Sequence, residues 1–333
     1  MAHARIDGII AAEAPVAVIF RRGPSKCVQM LRWDMETDEV TPGQWIKSRV
    51  YTRRCDLSPN GKYVVAAFTN YGSQHAKRAK ERYGLKSWEA HGWTAVSRIP
   101  YFSAIGLWFL DSAWSGGGSW KGDTHLRINN TPYSFHEAIR TDPSVKVSKL
   151  NLGAGEDEPI WTHLLEKRGW TVESEFELRK VTRLPGQKFL EDVRKHGLKG
   201  AFKFDKMLDR TLAGLIPNYE LKQAGLRTKQ FENGVLRYEQ WMVKTAFYGD
   251  GLRERWELVD ADGVVRRRFQ PERHHPQWLD IDHRGRPVFG DKGCLWAWEG
   301  FPSGEPKIIA DLNKNRFEAV PPPDWALKWL PTA

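Results

Sequence analysis

The sequence predicts an all-β scaffold, and three observations carry that prediction. The first is the stretch Ser58-Pro59-Asn60-Gly61 between two apolar runs, residues 50–55 and 63–68. Pro59 presets φ for a turn, and Asn60 and Gly61 tolerate the positive φ of a tight hairpin. The second is the set of alternating runs at 235–243, 252–259 and 264–269, the last two joined by Asp260-Ala261-Asp262-Gly263. The third is the 16 Trp in 333 residues. Indoles bring large buried area and pack well between the faces of sheets.

Taken in order, residues 16–20 form a short apolar run of buried-strand length, and residues 21–25 turn the chain. A second strand follows at 27–33, and residues 34–38 form the next turn. Residues 70–92 break the strand rhythm. Residues 74–83 there suit a helix, and Lys77, Arg78, Lys80 and Arg82 make the segment a basic, solvated insertion. Strands return at 93–97 and 101–109. Ser115-Gly116-Gly117-Gly118-Ser119 reads as a flexible hairpin loop, because no Lys-Ser or Lys-Thr follows it as a phosphate-binding loop requires. Residues 125–128 read as a strand and 142–159 as loop. Residues 161–165 and 170–178 read as a strand pair joined by Glu166-Lys167-Arg168-Gly169. Phe204, Met207, Leu208, Thr211, Leu212 and Leu215 recur at helical spacing before Pro217, so residues 185–217 read as a small helical insertion. Asp280 to Gly285 repeats the logic of the first corner. Residues 294–298 make the following strand, and the Pro- and Trp-rich tail from 321 lies on the surface.

The corner at Ser58-Pro59-Asn60-Gly61 resembles the inner hairpin of a β-propeller blade, where S-P-D-G-K-Y is a recurrent corner. Trp33-Asp34 followed by Thr37 resembles the outer hairpin of WD-repeat blades, and it lies one hairpin earlier, in the order that blades use. Gly61 and Gly285 are separated by roughly five blade lengths of about 40–50 residues. The resemblance implies a single propeller-like domain over residues 1–333 with about five to seven degenerate blades. It names an architecture and leaves function to be argued from sites.

Composition bounds the function. Hydrophobic content of 41% and charge of 28% are globular values. The net charge of +10 permits contact with nucleic acid or an acidic partner. Cys27, Cys55 and Cys294 are far apart and lack C-x-x-C spacing, which argues against a disulfide framework and a cysteine zinc site. Residues 1–13 lack the apolar core of a signal peptide, and no window approaches a bilayer span. A cytoplasmic location and no membrane span are therefore expected.

The candidate sites follow from residue type. Trp114 and Trp120, with Arg21 and Arg22, are aromatic and Arg anchors of the kind that protein interfaces use. Lys77, Arg78, Lys203 and Lys206 are candidates for phosphate contact. His274, His275, Asp280, Asp282 and His283 form the densest set of potential metal ligands. No G-x-S-x-G or H-E-x-x-H motif is present, and no cofactor is implied. The reading is a non-enzymatic binding scaffold for a protein partner. One alternative is a basic, nucleic-acid-associated scaffold. The other is a propeller hydrolase or lyase with an axial site.

Overall fold

Ser58 makes the first corner tight. Its Oγ accepts the backbone N–H of Lys62 and of Tyr63, and the Gly61 N–H donates to the Ser58 carbonyl. Gly61 sits at φ +71°, and a Cβ there would meet the Cβ of Val16 at 3.1 Å. The same device recurs at 282–286, where Gly285 is at φ +74° and Asp282 Oδ1 accepts the N–H of Arg284 and of Arg286. It recurs again at 260–264, where Asp260 Oδ1 accepts the Val264 N–H. The last two are three-residue hairpin loops and the first a four-residue loop, and in each a left-handed position suits glycine.

The computed structural model describes residues 3–23, 27–110, 113–130, 141–150, 152, 157–181, 218–243, 251–269 and 278–329. The chain is mostly β, in antiparallel sheets that follow one another along the sequence. The first sheet holds β1 (Arg5–Ile10), β2 (Val16–Arg22), β3 (Val28–Asp34) and β4 (Val40–Ile46), in that order. The second holds β5 (Arg49–Val50), β6 (Asp56–Leu57), β7 (Tyr63–Thr69), β8 (Gly92–Arg98) and β9 (Ala104–Leu110), with helix α1 (Ser73–Tyr83) between β7 and β8. The third holds β10 (Gly118–Trp120), β11 (His125–Ile128) and β12 (Lys146–Lys149). Here β12 runs parallel to β11, and β12 lies inside the stretch 142–159 that the sequence reads as loop.

Helix α2 (Ile160–Lys167) comes next and corrects an expectation. Residues 161–165 are helical, not a strand. Ile160, Trp161, Leu164 and Leu165 are buried at helical spacing, and an apolar run this short does not distinguish the two periods without its partners. The fourth sheet begins with β13 (Thr171–Ser174). A separate two-stranded ribbon of β14 (Glu177–Val181) and β15 (Asn218–Gln223) follows. The sheet then continues through β16 (Gly225–Phe231), β17 (Gly234–Val243), β18 (Gly251–Asp260) and β19 (Val265–Phe269). The fifth holds β20 (Leu279–Ile281), β21 (Pro287–Asp291), β22 (Cys294–Ala297) and β23 (Lys307–Asp311). The helical insertion expected at 185–217 lies outside the described residues. Among those described, no helix is long and apolar enough to cross a membrane. Cys27, Cys55 and Cys294 are free and buried.

Apolar layers join each sheet to the next. Val18, Phe20 and Met30 of the first sheet pack with Val64, Phe68 and Leu107 of the second. Tyr63, Val65 and Trp108 pack on Trp120, Leu126 and Ile128 of the third. Leu150 packs on Ile160 and Leu164 of α2, and the other side of that helix, Trp161 and Leu165, shares a layer with Tyr238, Trp256 and Phe289. The fifth sheet, through Val288 and Leu295, packs back on Ile6, Ile19 and Trp33 of the first. Strands β2 and β7 are consequently buried on both faces except for one end residue of β2.

The alternation along β7 makes this testable. Val64 faces one layer and Val65 the other, and both are fully buried. Val64→Lys and Val65→Lys should each cost about 3 kcal/mol or more, because either strands a charge in an apolar layer. Thermal melts check this: one variant melting like wild type would show a wet face. Gly61→Val should cost about 1–3 kcal/mol through backbone strain alone.

Candidate functional site

Residues from several sheets and from α2 line a cleft of about 50 Å³. Strand β1 brings Asp7, the turn Thr52–Arg54 before β6 brings Arg53, and the end of α2 brings Arg168. Trp256 comes from β18, and Asp280 from β20. The walls are tryptophan and the polar groups are charged.

Most of that charge is neutralised across sheets. Arg53 grips Glu254 with two hydrogen bonds, at 2.9 and 2.5 Å, and its guanidinium lies 4.1 Å from the Trp161 ring centroid. Lys229 reaches Asp280 at 2.5 Å. Asp56, 2% exposed, takes Lys167 Nζ at 2.5 Å, Arg168 Nη2 at 3.3 Å and the Trp120 N–H at 2.8 Å. Arg227 bonds Gln240, Glu158 and Thr162 at once. Burial alone would push the Glu254 carboxyl up. The Arg53 charge and hydrogen bonds outweigh it and hold the group below its usual range. Burial pushes the Cys55 thiol up to about 12, which makes it an inert core residue and not a nucleophile.

The residues singled out from sequence disperse. Trp114 is 59% exposed, whereas Trp120 is 1% exposed and stacks on Tyr63 at 5.9 Å, so it offers no surface. Arg21 is buried and donates to the carbonyls of Leu312 and Asn313, and half-buried Arg22 pairs with Asp7 at 3.3 Å. The structure thus uses Trp120 and Arg21 inside the fold rather than as surface anchors. In the metal set, Asp280 faces Lys229, Asp282 faces Arg286 at 2.8 Å, and His283 Nε2 contacts the Ala11 carbonyl at 2.9 Å. No cluster able to hold a metal ion occurs among the described residues, and His274 and His275 lie outside them. Lys203 and Lys206 also lie outside. The glycine loop at 115–119 is buried, not a flexible tip. The Gly116 N–H donates to the Asn129 carbonyl and the Gly117 N–H to Thr94 Oγ1, so neither is left for an anion. Gly117 is required: a Cβ there would lie 2.0 Å from the Arg54 carbonyl oxygen.

Lys77 and Arg78 stand together on α1, whose other face is attached. His75 stacks on Trp93 at 4.7 Å, Tyr83 meets Phe109 at 5.4 Å, and Ala79 is buried. Lys77, Arg78, Lys80, Arg82 and Lys86 are exposed, as are Tyr71 at 64%, whose ring meets His91, and Trp88 at 50%, whose ring faces Lys86 Nζ at 5.8 Å. The opposing carboxylates in this segment are Glu81 and Glu89. Sequence reasoning named the cations and missed the aromatics. Tyr71 and Trp88 bracket the basic run, and that bracketing was a readable signal.

No protein-family model matches the chain, and no curated protein matches it. Among solved structures, an uncharacterized protein of Listeria monocytogenes EGD-e aligns over 93% of this chain and 85% of its own, at 8% identity and a TM-score of 0.28. A score that low carries no argument about this chain.

Removing Arg53 leaves a buried carboxylate unpaired. Arg53→Met should cost about 3 kcal/mol, somewhat below a fully buried pair because Arg53 retains 18% exposure. The Glu254 stabilisation is present above its unfolded value of 4.5 and is lost as pH falls toward the lowered folded value. Glu254→Gln should therefore flatten the dependence of melting temperature on pH below about 4.5. An unchanged slope would show that the pair does not act as described.

Proposed function

We propose that the chain is a propeller-like binding scaffold in which the five successive sheets act as blades, and that it recognises an acidic protein segment on the shelf at residues 70–92. The return of the fifth sheet onto the first supports the ring. The observation that carries the binding role is the shelf itself. Tyr71 and Trp88 stand in solvent at the two ends of a segment with five exposed cations, whose helix α1 is fixed to the second sheet by its opposite face. Exposed aromatics next to cations are the anchors from which interfaces draw their energy. The central carboxylates already have basic partners from neighbouring sheets, which supports a structural use for them.

A second reading draws on the same shelf. Aromatic faces flanked by Lys and Arg also suit single-stranded nucleic acid, where bases stack and phosphates meet the cations.

Affinity capture before and after nuclease treatment separates the two. The protein-partner reading expects a captured protein that survives nuclease and leaves with rising salt. It expects Tyr71→Ala/Trp88→Ala and Lys77→Glu/Arg78→Glu each to weaken capture by about tenfold or more at unchanged melting temperature. Capture abolished by nuclease, with affinity falling steeply with salt, supports the nucleic-acid reading instead. Capture that neither pair of substitutions alters overturns both.

A further inference from the structure

We propose that the cleft between the sheets binds a small α-amino acid as its zwitterion. Three of its polar atoms make no hydrogen bond among the described residues. Trp256 is 5% exposed, and its Nε1–H meets no acceptor among the described residues. Arg168 is fixed in orientation by Nη2, which donates to the Cys55 carbonyl at 2.7 Å, yet its buried Nε–H has no acceptor there either. Asp7 Oδ2 lies 3.3 Å from Arg22 Nη2 but accepts no hydrogen bond. All three residues line the same cleft.

The other charged groups facing this space, Arg53 and Asp280, are saturated by Glu254 and Lys229. Buried N–H groups are rarely left without an acceptor, so the two donors call for oxygen and the carboxylate calls for a donor. An α-amino acid carries both on adjacent atoms: its carboxylate answers Trp256 and Arg168, and its ammonium answers Asp7. The indoles of Trp170 and Trp278 supply apolar wall for a short side chain. A volume of about 50 Å³ admits a ligand of only a few non-hydrogen atoms, which favours glycine, alanine or serine over larger residues. The shelf at 70–92 contributes nothing to this site, so the two stand or fall separately.

Titration calorimetry on the full chain with L-alanine, acetate and methylammonium tests the assignment. L-Alanine should bind at least about tenfold more tightly than either half-ligand, because each lacks one of the charged contacts. Trp256→Phe keeps a ring and removes the N–H, and it should weaken L-alanine by about tenfold with little change in the ligand-free melting temperature. Acetate binding as tightly as L-alanine would overturn the zwitterion, and no heat from any of the three would mean that the cleft holds water only. If Trp256→Phe fails to fold, the three-ligand comparison on the wild-type chain decides the matter alone.

Discussion

The packing of the first sheet against the fifth is the constraint on which the rest depends. Ala4 donates its N–H to Asn313, Arg21 donates to the Leu312 carbonyl, and His283 meets the Ala11 carbonyl, contacts made across 309, 291 and 272 residues. Gly290 sits so close to β1 that a Cβ would lie 2.6 Å from the Ile6 carbonyl oxygen. Such contacts close long loops and carry a large entropic penalty. The same packing gives β1 and β2 their second apolar neighbour.

Charge works at the same seam. Arg286 is 5% exposed and bonds both Asp282 and Asp38, and Asp38 also takes the Trp33 indole N–H. The Arg286 hydrogen bond holds the Asp38 carboxyl below its usual range. A buried pair of this kind adds little net stability over an apolar substitute, but a wrong neighbour leaves a charge unpaired. The pairs Arg53–Glu254, Lys229–Asp280 and Lys167–Asp56 apply the same condition around the cleft. The charges thus match each sheet to its neighbours, while the apolar layers supply the driving force.

Tryptophan divides between the two roles the fold offers. Trp33, Trp108 and Trp120 fill layers between sheets, and Trp161, Trp170 and Trp256 form the walls where several sheets meet. Trp88, Trp114 and Trp325 remain exposed. Trp325 is covered on one face by Arg98, 4.5 Å from its centroid, and it holds the 324–327 segment against Tyr101. Of these exposed indoles, Trp88 combines exposure with the basic run of α1.

Local chemistry determined much of this protein from sequence alone. The corners at 58–61, 260–263 and 282–285 were readable because a side-chain oxygen and a glycine at fixed spacing satisfy a turn without distant help. The strands β7, β8, β17 and β18 were readable because β-rich runs of that length have few alternatives. Tertiary structure alone decided the rest. Ile160 to Leu165 became helix because its apolar stripe found two layers at once. Trp120 and Arg21 turned inward because their partners, Tyr63 and the 312–313 carbonyls, lie far away in sequence. Asp280 and His283, three residues apart in the chain, were drawn to Lys229 and the Ala11 carbonyl on distant elements, while Asp282 between them pairs with Arg286 across its own corner. Spacing along a chain sets which faces residues share, but the charge each one meets is set by the sheet that packs against it.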